Sequence, residues 1–288
     1  MGATGAKLRL VARSTDAKTR LEWMARPATG PQESREVDRM ANPTAAMLVI
    51  GDEVLSGRTH DVNTNHLAKT LAEIGVALRE ARVCPDEGAE IIRHVNALRA
   101  SYDHVFTSGG IGPTHDDITA DSVAEAFGVA IDVRDDARAI LEAHYGPGEL
   151  NAARLRMARI PEGGELIANP VSQAPGFRLQ NVHVMAGVPA IFAAMLESVR
   201  PTLAGGAPLL SWSLRASVAE GEVAVGLAAI AADRPGVSFG SYPFYRGGLG
   251  VSLVARAADR DALTEAAAAL RALLSGLGAA LIEETPPS

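Results

Sequence analysis

The chain of 288 residues holds one cysteine, six phenylalanines, four tyrosines and two tryptophans. A lone Cys84 cannot build an intrachain disulfide framework, which sets the chain apart from small secreted domains and fits a reducing compartment, with the cytoplasm as the default. Apolar runs of membrane length are missing as well. The most hydrophobic window, around Leu263 to Leu281, is broken by charge and glycine, so no membrane partner is expected. Excess positive charge is lacking: a formal charge of −7 and a pI near 5.5 argue against nucleic acid as a partner, because counterion-release binding needs a basic face. Familiar site signatures are absent too. No GK[ST] closes a P-loop, no G-x-G-x-x-G follows a strand, and no G-x-S-x-G forms a nucleophile elbow. His60, His66, His94, His104, His144 and His183 show no ligand spacing with cysteine or with one another, which removes zinc.

What is present is a 47% apolar chain, long enough for one full core and a smaller second one. Up to Arg39 the sequence carries eight basic and five acidic residues, a net of +3, so the remainder carries −10. This shift marks residues 1–43 as a disordered N-terminal extension, with no apolar core of a secretory signal. Met40, directly before ANPTAAMLVIGDE, is a candidate true start, and a natural peptide covering Leu21 to Arg35 would refute that.

From Ala45 onward, short apolar runs alternate with amphipathic segments, the pattern of β-α-β units around a mostly parallel sheet. AAMLVIG (45–51), VALREARVC (76–84) and YDHVFTS (102–108) read as strands. Helices are expected from about Thr64 to Gly75, from Glu87 to Ser101 and over ITADSVAEAFG (118–128). Residues 129–180 are less regular: a charged helix around Arg134 to Tyr145, another around Leu150 to Arg159, and a loop from Pro161 to Gly176. NVHVMAGVP (181–189) returns to strand and turn, and a helix runs to Val199. LAGGAPLL (203–210) breaks the pattern and separates a domain over 44–205 from a small β-α-β-β-α unit over 206–288.

In an open parallel sheet, ligands bind outside the carboxyl ends of the strands. The unusual residues fall there: Gly51-Asp52-Glu53, Pro85-Asp86-Glu87, SGGIGPTHDDITAD (108–121) and Ala186-Gly187-Val188-Pro189. Gly109, Gly110 and Gly112 strip side chains from a strand-to-helix turn, so backbone N–H groups can approach an anion. Ser108, Pro113 and Thr114 flank them, and Thr114 offers a hydroxyl. Asp116 and Asp117 would repel a phosphate unless a cation intervenes, which points to metal-phosphate chemistry; helix capping is the bland alternative. His115 fits an exposed loop as well as a catalytic role, and Cys84 at a strand end reads as a structural thiol.

GDEVLSGRTHDVNTNHLAKTLAEIG, V-x-P-D and SGGIGPTHDDIT together resemble the MoaB/Mog molybdopterin-binding domain family, especially its CinA (competence/damage-inducible protein A) branch. NPVSQAPGF (169–177), VMAGVP (184–189) and GSYP (240–243) resemble the domain attached to eukaryotic FAD synthases. The resemblance implies a three-layer α/β/α sandwich with a mostly parallel sheet, followed by the small C-terminal α+β domain. It implies a nucleotide or pterin phosphate as the small-molecule partner and self-association into a homo-oligomer. In the CinA and FAD-synthase-linked branches it implies divalent-metal-dependent hydrolysis (Mg, Mn or Co) of nucleotide pyrophosphates such as ADP-ribose, FAD or coenzyme A. The molybdopterin branches imply instead binding or adenylylation of molybdopterin. Asp86 and Asp117 then carry the catalytic role. Asp52, Asp116 and Asp117 hold metal, and Ser108, Gly109, Gly110, Gly112, Pro113, Thr114, Gly187 and Pro189 hold phosphate. The nicotinamide-nucleotide amidase domain of many CinA proteins and the FAD synthetase domain have no counterpart in these 288 residues.

Overall fold

The computed structural model describes residues 42–146, 148–245 and 248–287. The expected N-terminal extension falls on residues 1–41, outside them, apart from Asn42 and Pro43.

The first sheet is built in chain order from β1 (Thr44–Ile50), α1 (Asp52–Leu55), α2 (Asn63–Glu73), β2 (Ala77–Cys84), α3 (Gly88–Arg99), β3 (His104–Ser108) and α4 (Thr119–Phe127). Then come β4 (Ile131–Val133), α5 (Asp135–Tyr145), α6 (Ala152–Leu155), β5 (Arg159–Pro161), β6 (Glu165–Ile167), β7 (Gly176–Leu179), β8 (Val182–Met185) and α7 (Pro189–Val199). The strand order is β2-β1-β3-β8-β7-β6, with β2, β1, β3 and β8 parallel and β7 and β6 antiparallel at one side.

Helix spacing decides which face each element covers. Ile91, Val95 and Leu98 on α3, with Val123 on α4 and Leu141 on α5, bury against Leu48, Val105 and Val184 on one side of the sheet. Leu67 and Leu71 on α2, with Phe192, Met195 and Leu196 on α7, bury against Met47, Phe106 and Met185 on the other. Three layers result, each large side chain contributing about 1.5–3 kcal/mol of burial. Alternate residues of β1 serve opposite cores, which explains why its sequence is apolar throughout.

Two expectations for 129–180 are revised. The helix expected over Leu150 to Arg159 is one turn, Ala152–Leu155, then a 3₁₀ turn at Arg156–Ala158 and strand β5. The expected loop from Pro161 to Gly176 contains β6, a three-residue strand paired with β7. The reason is tertiary: runs this short carry too little periodicity to show, and they gain their hydrogen bonds from neighbouring strands.

The second sheet comprises β9 (Leu210–Ser217), α8 (Glu220–Ala232), β10 (Ser238–Phe244), β11 (Gly250–Ala257), α9 (Arg260–Gly276) and β12 (Ala280–Thr285). Its order is β10-β11-β9-β12, so the expected β-α-β-β-α unit gains a fourth strand and becomes a split βαβ arrangement. Leu214, Ala216, Leu253, Leu263 and Leu270 form its core. Among the described residues, no helix is long and apolar enough to cross a membrane.

One buried group stands out against this packing. His183 on β8 is 1% exposed, stacks on Phe106 at 4.7 Å between centroids, and has no hydrogen-bond partner on either ring nitrogen. Burial, then the nearby His104 and Arg178, pushes its pKa down to about 3 from the ordinary 6.5. The neutral ring is therefore the folded form, and the unfolded chain takes up a proton that the folded chain refuses. Stability is lost as pH falls below 6.5 towards 3, at up to about 1.4 kcal/mol per pH unit. Urea midpoints measured from pH 7 to pH 4 should show His183→Phe gaining on the parent chain as the pH drops. A gap that does not change with pH would remove His183 as the cause.

Candidate functional site

Because β2, β1, β3 and β8 run parallel, the four loops that follow them emerge at one edge of the sheet. Two glycines set how closely these loops approach. Gly109 has φ +111 and its Cβ position is taken by the Ile50 carbonyl oxygen; a Cβ on Gly187 would lie 3.2 Å from Gly109 Cα. Gly110, at φ +68, lies against Thr119, whose hydroxyl donates to the Gly109 carbonyl at 3.0 Å and whose N–H donates to the Gly110 carbonyl at 3.0 Å. The start of α4 thus holds the glycine turn in shape.

Side chains tie the loops in pairs. The Asp52 N–H donates to Asp86 Oδ2 at 3.0 Å, joining the first two loops. Asn63, at the start of α2 and only 6% exposed, donates from Nδ2 to Ser108 Oγ and to the Gly187 carbonyl, both at 2.8 Å. Asp61 fixes that helix start by accepting from the N–H groups of Asn63 and Thr64 at 3.0 and 3.1 Å.

Gly109, Gly110, Gly112, Pro113, Asp117, Gly187 and Pro189 line a single cleft of about 540 Å³. Tyr145, Met157 and the Asn169–Ala174 loop form its far wall. Asn169 knots that loop: its amide donates to Ser172 Oγ and the Ala174 carbonyl, and its oxygen accepts from the N–H groups of Val171 and Ser172. Gln173 is held at φ +60 inside it.

The other expected residues stand differently. Ser108 is buried and its oxygen accepts from Asn63, beside the cleft and not in its wall. Thr114 is exposed and is engaged locally: its N–H and hydroxyl donate to Asp117 Oδ2 at 2.8 and 2.5 Å. His115 and Asp116 lie on the surface, 98% and 64% exposed in their side chains. Asp52, Asp86 and Asp116 lie outside the cleft lining, but the half-buried Asp86 feels them. Burial first, then the carboxylates of Glu53, Asp52 and Asp116, raise its pKa above the ordinary carboxylate range, against the opposing Asp52 N–H bond. Cys84 packs in the core, and burial followed by Asp86 and Glu90 pushes its thiol up to about 12, so it is no nucleophile at neutral pH.

Sequence reading gave no site role to Asn63, Thr119, Tyr145, Met157 or Arg156, although Asn63 and Thr119 lie inside the segments that carry the family resemblance. A single asparagine in the first turn of a helix carries no signal of a tertiary bridge. Asn169 was visible only as part of a quoted segment.

The fold and this edge define an α/β domain with a cleft lined by a glycine-rich turn and flanked by acidic loops. Residues 46–205 match the family described as probable molybdopterin binding domain, and the chain belongs to that family. Residues 208–279 match the middle domain of FAD synthase. A CinA-like protein of Citrifermentans bemidjiense is 38% identical over 167 residues, 56% of this chain and 40% of the relative. A probable FAD synthase of Caenorhabditis elegans is 36% identical over 167 residues, 51% of this chain and 32% of the relative. The matches therefore span less than half the length of either relative. The crystal structure of CinA from Thermoplasma acidophilum, described as of unknown function, is 32% identical with a TM-score of 0.53, over 56% of this chain and 97% of that one.

The close approach has a measurable cost. Gly109→Ala places a Cβ on the Ile50 carbonyl and strains φ, whereas Gly128, also left-handed at φ +66, has nothing within 4 Å of its Cβ position. Chemical denaturation should show Gly109→Ala losing about 3 kcal/mol or more and Gly128→Ala only about 1 kcal/mol. Equal losses would mean that φ alone, and not the contact with β1, governs the turn.

Proposed function

We propose that the chain is a divalent-metal-dependent hydrolase of nucleotide pyrophosphates such as ADP-ribose, FAD or coenzyme A. The observation that carries this reading is the glycine-rich Gly109–Gly112 turn in a cleft near Asp86, whose carboxyl is raised by burial and then by the neighbouring carboxylates. A diphosphate brings further negative charge to this edge, and a cation relieves both. Among the described residues, no three acidic, histidine or cysteine side chains are gathered closely enough to hold a metal ion by themselves. One or two carboxylates completed by substrate phosphate oxygens suit Mg²⁺, and the residues present fit that mode. Asp117, with Asp52 or Asp116, would hold the ion, Mg²⁺, Mn²⁺ or Co²⁺. When bound, such an ion neutralises phosphate charge and lowers the pKa of water.

The chain's own groups divide the remaining work. N–H groups of the glycine turn meet phosphate oxygens where side chains would block them. Thr114 holds the Asp117 carboxylate in one orientation. Asp86, made more basic than an exposed carboxylate, is suited to orient the attacking water and accept its proton. The apolar wall of Met157, Ile111 and Ile191 excludes water from the rest of the ligand.

A second reading, a molybdopterin-binding or molybdopterin-adenylylating protein, is favoured by the family description over residues 46–205 and uses the same cleft. Incubating the full chain with ADP-ribose, FAD and coenzyme A in Mg²⁺, Mn²⁺ or Co²⁺ separates the two. Hydrolysis is expected to release AMP from ADP-ribose or FAD, or the adenosine bisphosphate half of coenzyme A. Asp117→Asn should lower turnover at least about 100-fold with an unchanged melting temperature. No cleavage at any metal, together with a pterin that co-purifies, would reverse the ranking.

A further inference from the structure

The cleft lining contains Glu53 and Asp117 and no basic side chain. A phosphate-bearing ligand thus faces like charge unless positive charge stands behind the glycine turn. Arg156 stands there. It opens the 3₁₀ turn Arg156–Ala158 and, with Gly110, Ile111, Gly112 and Asp117, lines a small cavity of about 20 Å³ under the loop, with room for a single water. Its Nη2 donates to the Asp117 carbonyl oxygen at 3.2 Å, while its Nε is shielded from solvent and has no acceptor.

Among the described residues the charge on Arg156 has no ion-pair partner. Arg159, on the same cavity, is neutralised by Asp121 at 2.6 Å. Among the described residues Arg156 forms no ion pair, and the carboxylate of Asp117, whose backbone carbonyl it holds, is engaged by Thr114. A guanidinium stays protonated at any working pH, and leaving it half-buried without an anion is unfavourable. An anion bound on the far side of the glycine turn would offset that cost.

We infer that Arg156 is the charge behind the cradle: it positions the Asp117 peptide, and its uncompensated positive charge draws the ligand's phosphate onto the Gly110–Gly112 backbone. The inference rests on reading that backbone as a phosphate site. It assigns Arg156 an electrostatic part in binding, acting through the loop without touching the reacting atoms.

Calorimetric titration of the full chain with inorganic pyrophosphate and with ADP-ribose, at several salt concentrations, tests it without relying on turnover. R156Q should weaken both probes about tenfold or more and make binding less sensitive to salt. R156K, which keeps the charge, should retain the salt dependence and most of the affinity. R156M keeps the packing of the stem and replaces R156Q if the latter does not fold. A folded neutral variant that binds both probes with the parent's affinity and salt dependence overturns the role of Arg156 and leaves the cradle standing. If the parent chain binds neither probe, the phosphate reading falls and this inference with it.

Discussion

The closest constraint in the molecule is the contact of three backbones at the carboxyl edge of the sheet. Gly109 presses on the Ile50 carbonyl at the end of β1, and Gly187, after β8, comes within a Cβ radius of Gly109. Two missing side chains let three parallel strand ends meet, and Asn63 joins the end of β3 to the loop after β8 with a pair of 2.8 Å hydrogen bonds. The amide is almost wholly buried, so each lost bond would expose an unpaired polar group at a cost of about 1–3 kcal/mol. The shape of the cleft follows: its floor is backbone, its rim is side chains, and neither can shift without breaking the other.

Electrostatics at this edge oppose the packing. Burial, then the carboxylates of Glu53, Asp52 and Asp116, act on Asp86 together, and the Asp52 N–H counters them. Such crowding is tolerable because most of these carboxylates face water, where repulsion between like charges is damped. It nevertheless leaves the folded chain with stored repulsion next to a bare cradle, and a bound cation or proton discharges it.

Legibility in the sequence tracked the length and regularity of each element. Leu67 and Leu71 on α2, Ile91, Val95 and Leu98 on α3, and Gly128 as the left-handed stop of α4 were all readable, since each lies in a long periodic run or occupies a position that needs glycine. The short β6 and the single-turn α6 were not, because three or four residues hold no period. ALIEET at β12 hid for a different reason: at a sheet edge with Leu281 and Ile282 exposed, its pattern lacks the buried alternation that marks a strand. At the site, the glycine cluster and the acidic pairs were visible because their composition is abnormal for a turn. Asn63 and Arg156 were not, since each acts across the fold on a residue 39 or more positions away.

The break at LAGGAPLL is more structured than its composition suggests. Asn42 donates to the Ala207 carbonyl at 2.8 Å and accepts from the Ala207 N–H at 2.9 Å, as a paired strand residue would. Gly206 donates to the Ile74 carbonyl at 2.9 Å, and Gly75 and Gly206 lie so close that neither has room for a Cβ. The connection to the second sheet is therefore clamped onto the carboxyl end of α2. The amino end of the same helix carries Asn63, which holds the Ser108 and Gly187 loops together. At about 1.5 Å per residue, α2 is a rod of about 16 Å with the linker fixed to one end and the cleft fixed to the other. Its apolar face, with Leu67 and Leu71, is buried in the core, so it can only move as a unit. One buried helix thus fixes the linker at its carboxyl end and the Ser108–Gly187 pair at its amino end.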